Sequence, residues 1–469
     1  MAGNVAQRFE EAARRYAQKR VLLSAEADDG GLDYATLDRR AGGVAAALAA
    51  RGIGPGTRIA LSLDDPADVV VAVVGGLKAG AAVAPLNPRL SAEERKRILD
   101  DLAPAFVLES LPDDEAVRPA APVDDGDGAI VLYTSGSTGR PKGVLLSHGA
   151  VAAGLDIWVD GVMALAPDDV MLSALPLAHS FGLFGTVLSP LQVGAAIVLL
   201  ARFTPEAAIA AISRWRPTVF PGVATMFRRV LDCPTRPGTD FASLRIAVSG
   251  AAPCPWPLAQ EWRTNTGVRI VRGYGMSELF RPVSFSARDA VEEPDSIGHA
   301  LSGVRLRIVG EGGDDLRMGE IGELWIRSPA CLTEYLNQPD ETRAVLDGGW
   351  FRTGDLATLS ADGLVRIVGR KKEIILRGGY TVAAGEVEAV LMTHPEVAEA
   401  AVIGVPHEEL GEEIRAYVAL RPGARTAAED IVAWCKGRVA NYKYPREVRL
   451  CADLPRGPTG KVDKARLPA

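Results

Sequence analysis

The stretch TSGSTGRPKG, residues 134–143, gathers three glycines, four hydroxyl side chains, Arg140 and Lys142 around Pro141. It follows the apolar run AIVLY, so a strand ends in residues that offer successive backbone N–H groups, hydroxyl donors and an ammonium. Donors in such density suit an anion, and phosphate is the natural occupant. This is not the nucleotide-binding loop in which Gly-Lys is followed by Ser or Thr, because Gly143 follows Lys142.

The elements that must hold this loop follow from length and patterning. A chain of 469 residues exceeds what one hydrophobic core organises, so at least two domains are expected. A net charge of −7 leaves no basic surplus for nucleic acid. Cys233, Cys254, Cys331, Cys435 and Cys451 lack the spacing of a zinc site or a disulfide framework, which points to a reducing, cytoplasmic compartment. At the N-terminus Val5, Phe9, Ala12, Ala13 and Tyr16 recur at helical spacing among charges, the pattern of a surface helix and not of a signal peptide. Residues 171–201 contain no Asp, Glu, Lys or Arg, yet Pro176, Pro190, His179, Gln192 and the strand-like AAIVLL read as interior lining, so no transmembrane segment is expected.

Ala-rich helical segments alternate with RIALSL, AIVLYT, AIVLL and LRIAVSG, the rhythm of parallel α/β units. Residues 111–129 form a Pro/Asp-rich exposed connector, and beyond about residue 300 the chain turns rich in strands and turns. The expected fold class is α/β: a large N-terminal domain, 1–369, of α/β subdomains plus a β-barrel-like part, followed by a small mobile α+β domain, 370–469.

Six segments in order carry a resemblance: YTSGSTGRPKGVLLSH (133–148), GYGMSE (273–278), GELWIRS (322–328), WFRTGDLA (350–357), GRKKEIILRGG (369–379) and PRGPTGKVDK (455–464). Together they resemble the adenylate-forming enzymes, which include acyl-CoA synthetases, peptide-synthetase adenylation domains and firefly luciferase. The resemblance spans nearly the whole chain. It implies that a carboxylate attacks the α-phosphate of ATP, releasing pyrophosphate, and that a thiol of CoA or of a carrier-protein phosphopantetheine then takes the acyl group. Transfer to an amine, giving an amide, is an alternative. A non-catalytic nucleotide-binding module is a second, disfavoured because Glu278, Asp355, Arg370 and Lys461 are all present.

The resemblance also assigns residues. Thr134, Ser135, Gly136, Ser137, Thr138, Gly139 and Lys142 would hold the β- and γ-phosphates. Gly250 and Ala251 line the adenine and acyl region with little bulk. In Gly273, Tyr274, Gly275, Met276, Ser277 and Glu278, the tyrosine would stack on adenine, the serine hydroxyl would face the α-phosphate and the glutamate would bind Mg2+. Asp355 would anchor the ribose hydroxyls, with Arg370 directed at ribose and phosphate. Lys372 matches the hinge, and Lys461 the lysine that bridges carboxylate and nucleotide.

The resemblance places the acyl region at LPLAHSFGLFGT, where His179 would gate the pocket or touch the carboxylate. No carboxylate lies among Ser180, Phe181, Gly182 and Leu183 to pair with an α-ammonium, which disfavours amino-acid substrates. Leu177, Phe181, Leu183, Phe184, Phe220, Val223, Met226 and Leu279 are the expected lining for an aryl or aliphatic acid, with Ser180 available to a ring hydroxyl. Arg281 would reach a second anionic group if it points inward, but an outward, solvated orientation is expected, because the sequence shows no partner for it.

Overall fold

The computed structural model describes residues 3–26, 31–135, 141–290, 292–456 and 462–468. The chain divides into two compact units, one running to Arg305 and including Arg327–Trp350, the other Leu306–Ile326 with Phe351 onward.

The first unit is built on two sheets of mainly parallel strands. One carries, in spatial order, Glu334–Tyr335, Pro141–Ser147, Gly128–Ser135, Ala82–Pro85, Arg58–Leu61 and Phe106–Leu108. The other runs Ile270–Val271, Ile246–Ser249, Val219–Gly222, Val170–Ser173, Ala196–Leu199, Arg20–Ser24 and Leu32–Asp33. Their cores are continuous apolar runs, because strands covered by helices bury both faces. The helix Pro66–Ala79 shows how local sequence sets such a cover. Asp65 accepts from the Ala67 and Asp68 amides, Pro66 opens the first turn and Gly80 closes the helix in the left-handed region, while Val69 to Ala79 are all buried.

In the second unit Arg305–Val309, Gly322–Arg327, Trp350–Leu359 and Val365–Arg370 join one sheet, and a further sheet combines Tyr380–Ala383, Ile374–Arg377, Gly411–Leu420, Val397–His407 and Glu447–Cys451. The helices Ala384–Leu391 and Ala428–Cys435 bury Val387, Leu391, Ile431 and Cys435 in the core of that further sheet. The expected barrel-like part is corrected here. Arg305–Val309 and Val365–Arg370 stand at separate places in the pairing order and do not pair with each other, so among the described residues the sheet is open. No described helix is long and apolar enough to cross a membrane. Residues 171–201 instead supply two buried strands, Val170–Ser173 and Ala196–Leu199, and the helical turns between them.

A buried imidazole ties the N-terminal helix to this frame. His148 is fully buried, its Nδ1 accepts from the Val5 amide at 3.3 Å, and its Nε2 has no partner. Burial pulls its pKa from 6.5 to about 4, opposed by Asp127 and Asp125. The unfolded chain therefore binds a proton between those values that the folded chain refuses. Stability is complete above the unfolded pKa and should fall by on the order of 3 kcal/mol as the pH drops through this window. Urea unfolding across it should show that loss in the native protein and a shallower one in His148→Gln.

Candidate active site

The phosphate-loop candidates begin on an antiparallel pair of strands. Gly128–Ser135 pairs with Pro141–Ser147, setting Thr134 opposite Lys142 and Ser135 opposite Pro141. Gly136, Ser137, Thr138 and Gly139 lie outside the described residues, as does Lys461. The Lys142 ammonium meets Glu341 Oε2 at 2.7 Å and stands 5.1 Å over the Tyr335 ring. The Tyr335 hydroxyl in turn donates to Glu278 Oε1 at 2.9 Å. One tyrosine thus connects the candidate phosphate lysine to the candidate metal carboxylate.

Backbone pairing puts it there. The short strand Glu334–Tyr335 adds to the edge of Pro141–Ser147, with Tyr335 opposite Val144, and the Leu332 amide donates to Glu278 O at 2.7 Å. Burial first, then the charge of Glu278, raises the Tyr335 pKa, so the hydroxyl remains a donor. The same two causes push the nearby Cys331 thiol up to about 12. Tyr335 and Glu341 escaped sequence reasoning because neither stands in a segment whose spacing signals chemistry.

Glu278 sits at the tip of a hairpin whose strands, Gly273–Met276 and Phe280–Ser284, pair Gly273 with Ser284 and Tyr274 with Val283. Ser277, Glu278 and Leu279 make the connection. Phe280 takes a positive φ of 58°, unusual for a bulky residue, and is held there by packing on Phe184 at 4.2 Å between ring centres. Gly275 is required, since a Cβ would lie 2.1 Å from Phe280 O. Met276 and Ser277 are half-buried on the same turn. Glu278 suits Mg2+, which takes hard oxygen ligands and is commonly held by one or two carboxylates together with substrate phosphates. No group of three or more His, Cys, Asp or Glu side chains placed for a metal occurs among the described residues.

The acyl-region candidates gather about two π-helical segments, Ile157–Met163 and Phe181–Leu188, a form enriched at functional sites. Trp158, missed in the sequence, stacks on Phe181 with ring centres 5.3 Å apart and 9° between planes. Gly250 admits this arrangement, because a Cβ would lie 2.8 Å from the Phe181 ring and 3.2 Å from Arg281 Nη1. Ala251, next to it, is exposed with a φ of 64°. His179 and Ser180 are half-buried at the start of the second segment, where the Leu183 amide donates to His179 O at 2.9 Å. Leu177 is half-buried, and Leu183, Phe184 and Leu279 are fully buried. Phe220 and Met226 belong to the core of the second sheet, where Phe220 meets Phe227 edge-on at 5.4 Å, with Val223 packed against that core.

The expected outward orientation of Arg281 is overturned. The residue is 2% exposed. It donates from Nε to Ser284 Oγ at 2.9 Å, from Nη1 to Ser249 O at 2.7 Å and from Nη2 to Val271 O at 3.3 Å. Its guanidinium carbon stands 5.3 Å over Trp158. These partners are main-chain carbonyls, a hydroxyl and a ring, none of which a charge pattern reveals. Burial lowers its pKa to about 9, which leaves it a cation at neutral pH.

Within the second unit, register places Asp355 opposite Arg370, with Arg370 Nε 3.4 Å from Asp355 Oδ1. The Asp355 amide donates to Thr353 Oγ1 at 3.1 Å, and Thr353 Oγ1 donates to Leu324 O at 2.7 Å, which fixes the strand beneath the carboxylate. Lys372 is exposed in the single turn Lys371–Glu373. Its neighbour Glu373 pairs with Lys464, which also meets Glu388 at 2.8 Å.

Comparison with known proteins identifies the family. The AMP-binding enzyme family model matches residues 9–119 and 108–336, and the AMP-binding enzyme C-terminal domain matches 386–461. The chain is similar to a feruloyl-CoA synthase of Amycolatopsis sp, at 34% identity over 93% of each chain, and to a sulfoacetate–CoA ligase of Cupriavidus necator, at 32% over 97% of this chain and 95% of that one. Among solved structures it resembles ATP-bound MatB from Rhodopseudomonas palustris, with a TM-score of 0.90 and 30% identity over 98% and 97% of the two chains. A benzoate CoA ligase from Burkholderia xenovorans LB400 gives 0.88 and 28% over 98% and 99%.

Tyr335→Phe keeps the ring beneath Lys142 and removes the donor to Glu278. A hydrogen bond to a charged group contributes about 1.5–3 kcal/mol, so the Mg2+ concentration for half-maximal ATP binding should rise roughly tenfold or more. Calorimetric titration at several Mg2+ concentrations measures this, and an unchanged dependence would show that the hydroxyl does not position Glu278.

Proposed function

The chain belongs to the AMP-binding enzyme family and is an AMP-forming acid–CoA ligase, and from that premise we propose how its own residues divide the reaction. A substrate carboxylate oxygen attacks the α-phosphorus of ATP, the bond to the β-phosphate breaks, and pyrophosphate leaves. The sulfur of CoA then attacks the acyl carbon and AMP departs.

Lys142 and the hydroxyls of residues 134–138 meet the charge that grows on the departing pyrophosphate. In this reading Glu341 occupies the Lys142 ammonium until a phosphate replaces it. Glu278 would hold Mg2+, which when bound would supply further charge neutralisation. Tyr274 stacks on adenine, Ser277 and Arg370 address phosphate, and Asp355 accepts from the ribose hydroxyls. Lys461 offsets the repulsion between the two anionic reactants. His179 gates the acyl region or touches the substrate carboxylate.

The observation that carries this reading is the chain from Lys142 through Tyr335 to Glu278, which joins a phosphate-type cation to a metal-type carboxylate. For the acid we propose an aromatic body, supported by the stacked Trp158 and Phe181 and by the names of the feruloyl and benzoate enzymes among the relatives. The part 370–469 then moves about Lys372 between the two half-reactions, presenting Lys461 for the first and withdrawing it for the second.

Lys461→Ala should lower adenylate formation by about 10²–10³, the range for loss of one charge-stabilising group, while thioester formation from supplied acyl-adenylate proceeds. Pyrophosphate release and single-turnover thioester assays read the two halves, and equal loss in both sinks the assignment. Lys372→Pro fixes φ at the hinge and should spare the first half-reaction while slowing the second. Wild-type rates in both would remove the hinge from Lys372.

A further inference from the structure

Three lysines and arginines are buried among the described residues, and two of them have carboxylates. Lys78 meets Asp38 at 2.6 Å and Glu10 at 3.1 Å, and Arg272 has Glu292 at 3.5 Å. Arg281 is the third, and among the described residues no carboxylate stands within ion-pair distance of it. Its three donations go to neutral oxygens and use three of five N–H groups, leaving one hydrogen on each Nη without an acceptor. A fully buried cation in that state is costly unless an anion joins it.

A second unsatisfied group lies beside it. Ser249 is 2% exposed and its Oγ has no hydrogen-bond partner, while its carbonyl is the acceptor of Arg281 Nη1. Gly250 follows, and the space where its Cβ would stand is shared by the Phe181 ring and Arg281 Nη1. A cation with spare donors, a spare hydroxyl and an aromatic wall therefore meet at the end of the strand Ile246–Ser249.

We propose that Arg281 is a specificity-determining residue that receives a second carboxylate of the acyl substrate, so that the enzyme acts preferentially on aromatic dicarboxylic acids, with the ring against Phe181 and Trp158. One carboxylate is adenylated and the other pairs with Arg281 and Ser249. The bidentate fork of the guanidinium matches a planar carboxylate, and the spare hydrogens on the two Nη atoms are the ones it would take. This rests on reading Phe181 and Gly250 as acyl-region residues of a ligase.

The test is AMP and pyrophosphate formation by the full chain with CoA and Mg-ATP, using benzoate and its ring-carboxylated counterparts, isophthalate and terephthalate. The wild-type kcat/KM should favour a diacid over benzoate by about tenfold or more, the effect of pairing a buried charge. In Arg281→Gln that ratio should collapse toward one, and in Arg281→Lys, which keeps the charge but loses the fork, it should fall between. A wild-type enzyme that favours benzoate overturns the proposal whatever the variants do, as does a ratio that survives Arg281→Gln. AMP formation from monoacids alone overturns it and leaves the ligase reading standing. No AMP from any acid overturns the ligase reading, and the proposal with it.

Discussion

Every reactant in an acid–CoA ligation is negative, so the protein has to keep cations ready without letting them destabilise the empty site. Several lysines and arginines among the described residues stand against carboxylates. Lys142 rests on Glu341, Arg370 on Asp355, Lys371 on Glu323, and Lys464 between Glu373 and Glu388. Most of these pairs are partly exposed, where an ion pair is worth at most about 1 kcal/mol, little enough for a phosphate to displace the carboxylate. Arg281 departs from the pattern, and its deep burial marks it as a different kind of group.

The anchoring of these pairs is a matter of backbone. Asp355 and Arg370 face each other because their strands pair in that register, and Tyr335 reaches both Lys142 and Glu278 because a two-residue strand joins the edge of Pro141–Ser147. Side chains fixed by sheet register need little reorganisation, which is what charge stabilisation in a transition state requires. The exposed end of each pair can still move, so a rigid acceptor and a mobile counterion coexist in one interaction.

The sequence was legible where one segment carried its own signal. The strand that ends at Ser135 lies where the apolar run AIVLY places it. What stayed hidden arises between segments. Trp158 and Phe181 meet across two π-helical turns, Tyr335 meets Glu278 across 57 positions, and the acceptors of Arg281 are carbonyls that every residue possesses. The barrel-like expectation failed for a related reason, since strand content is local but closure depends on which strands pair. Phe220 was read as lining because it is aromatic in an apolar strand, and packing against Phe227 and Trp262 shows it filling the core.

The absent side chains of two glycines bind these features into one mechanical unit. A Cβ on Gly273 would stand 2.6 Å from Arg281 Nη2 and from Ser284 Oγ, so the guanidinium fills the space beneath the first residue of the hairpin that carries Tyr274 and Glu278. On its other side the same guanidinium, with Phe181, fills the space beside Gly250. Arg281 also holds the carbonyls at the ends of Ile246–Ser249 and Ile270–Val271. Displacement of the guanidinium would press on the hairpin that carries Tyr274 and Glu278, since close-packed interiors transmit strain instead of absorbing it. Phe181 and Gly250 on one side and the hairpin that carries Tyr274 and Glu278 on the other are thereby coupled through one side chain.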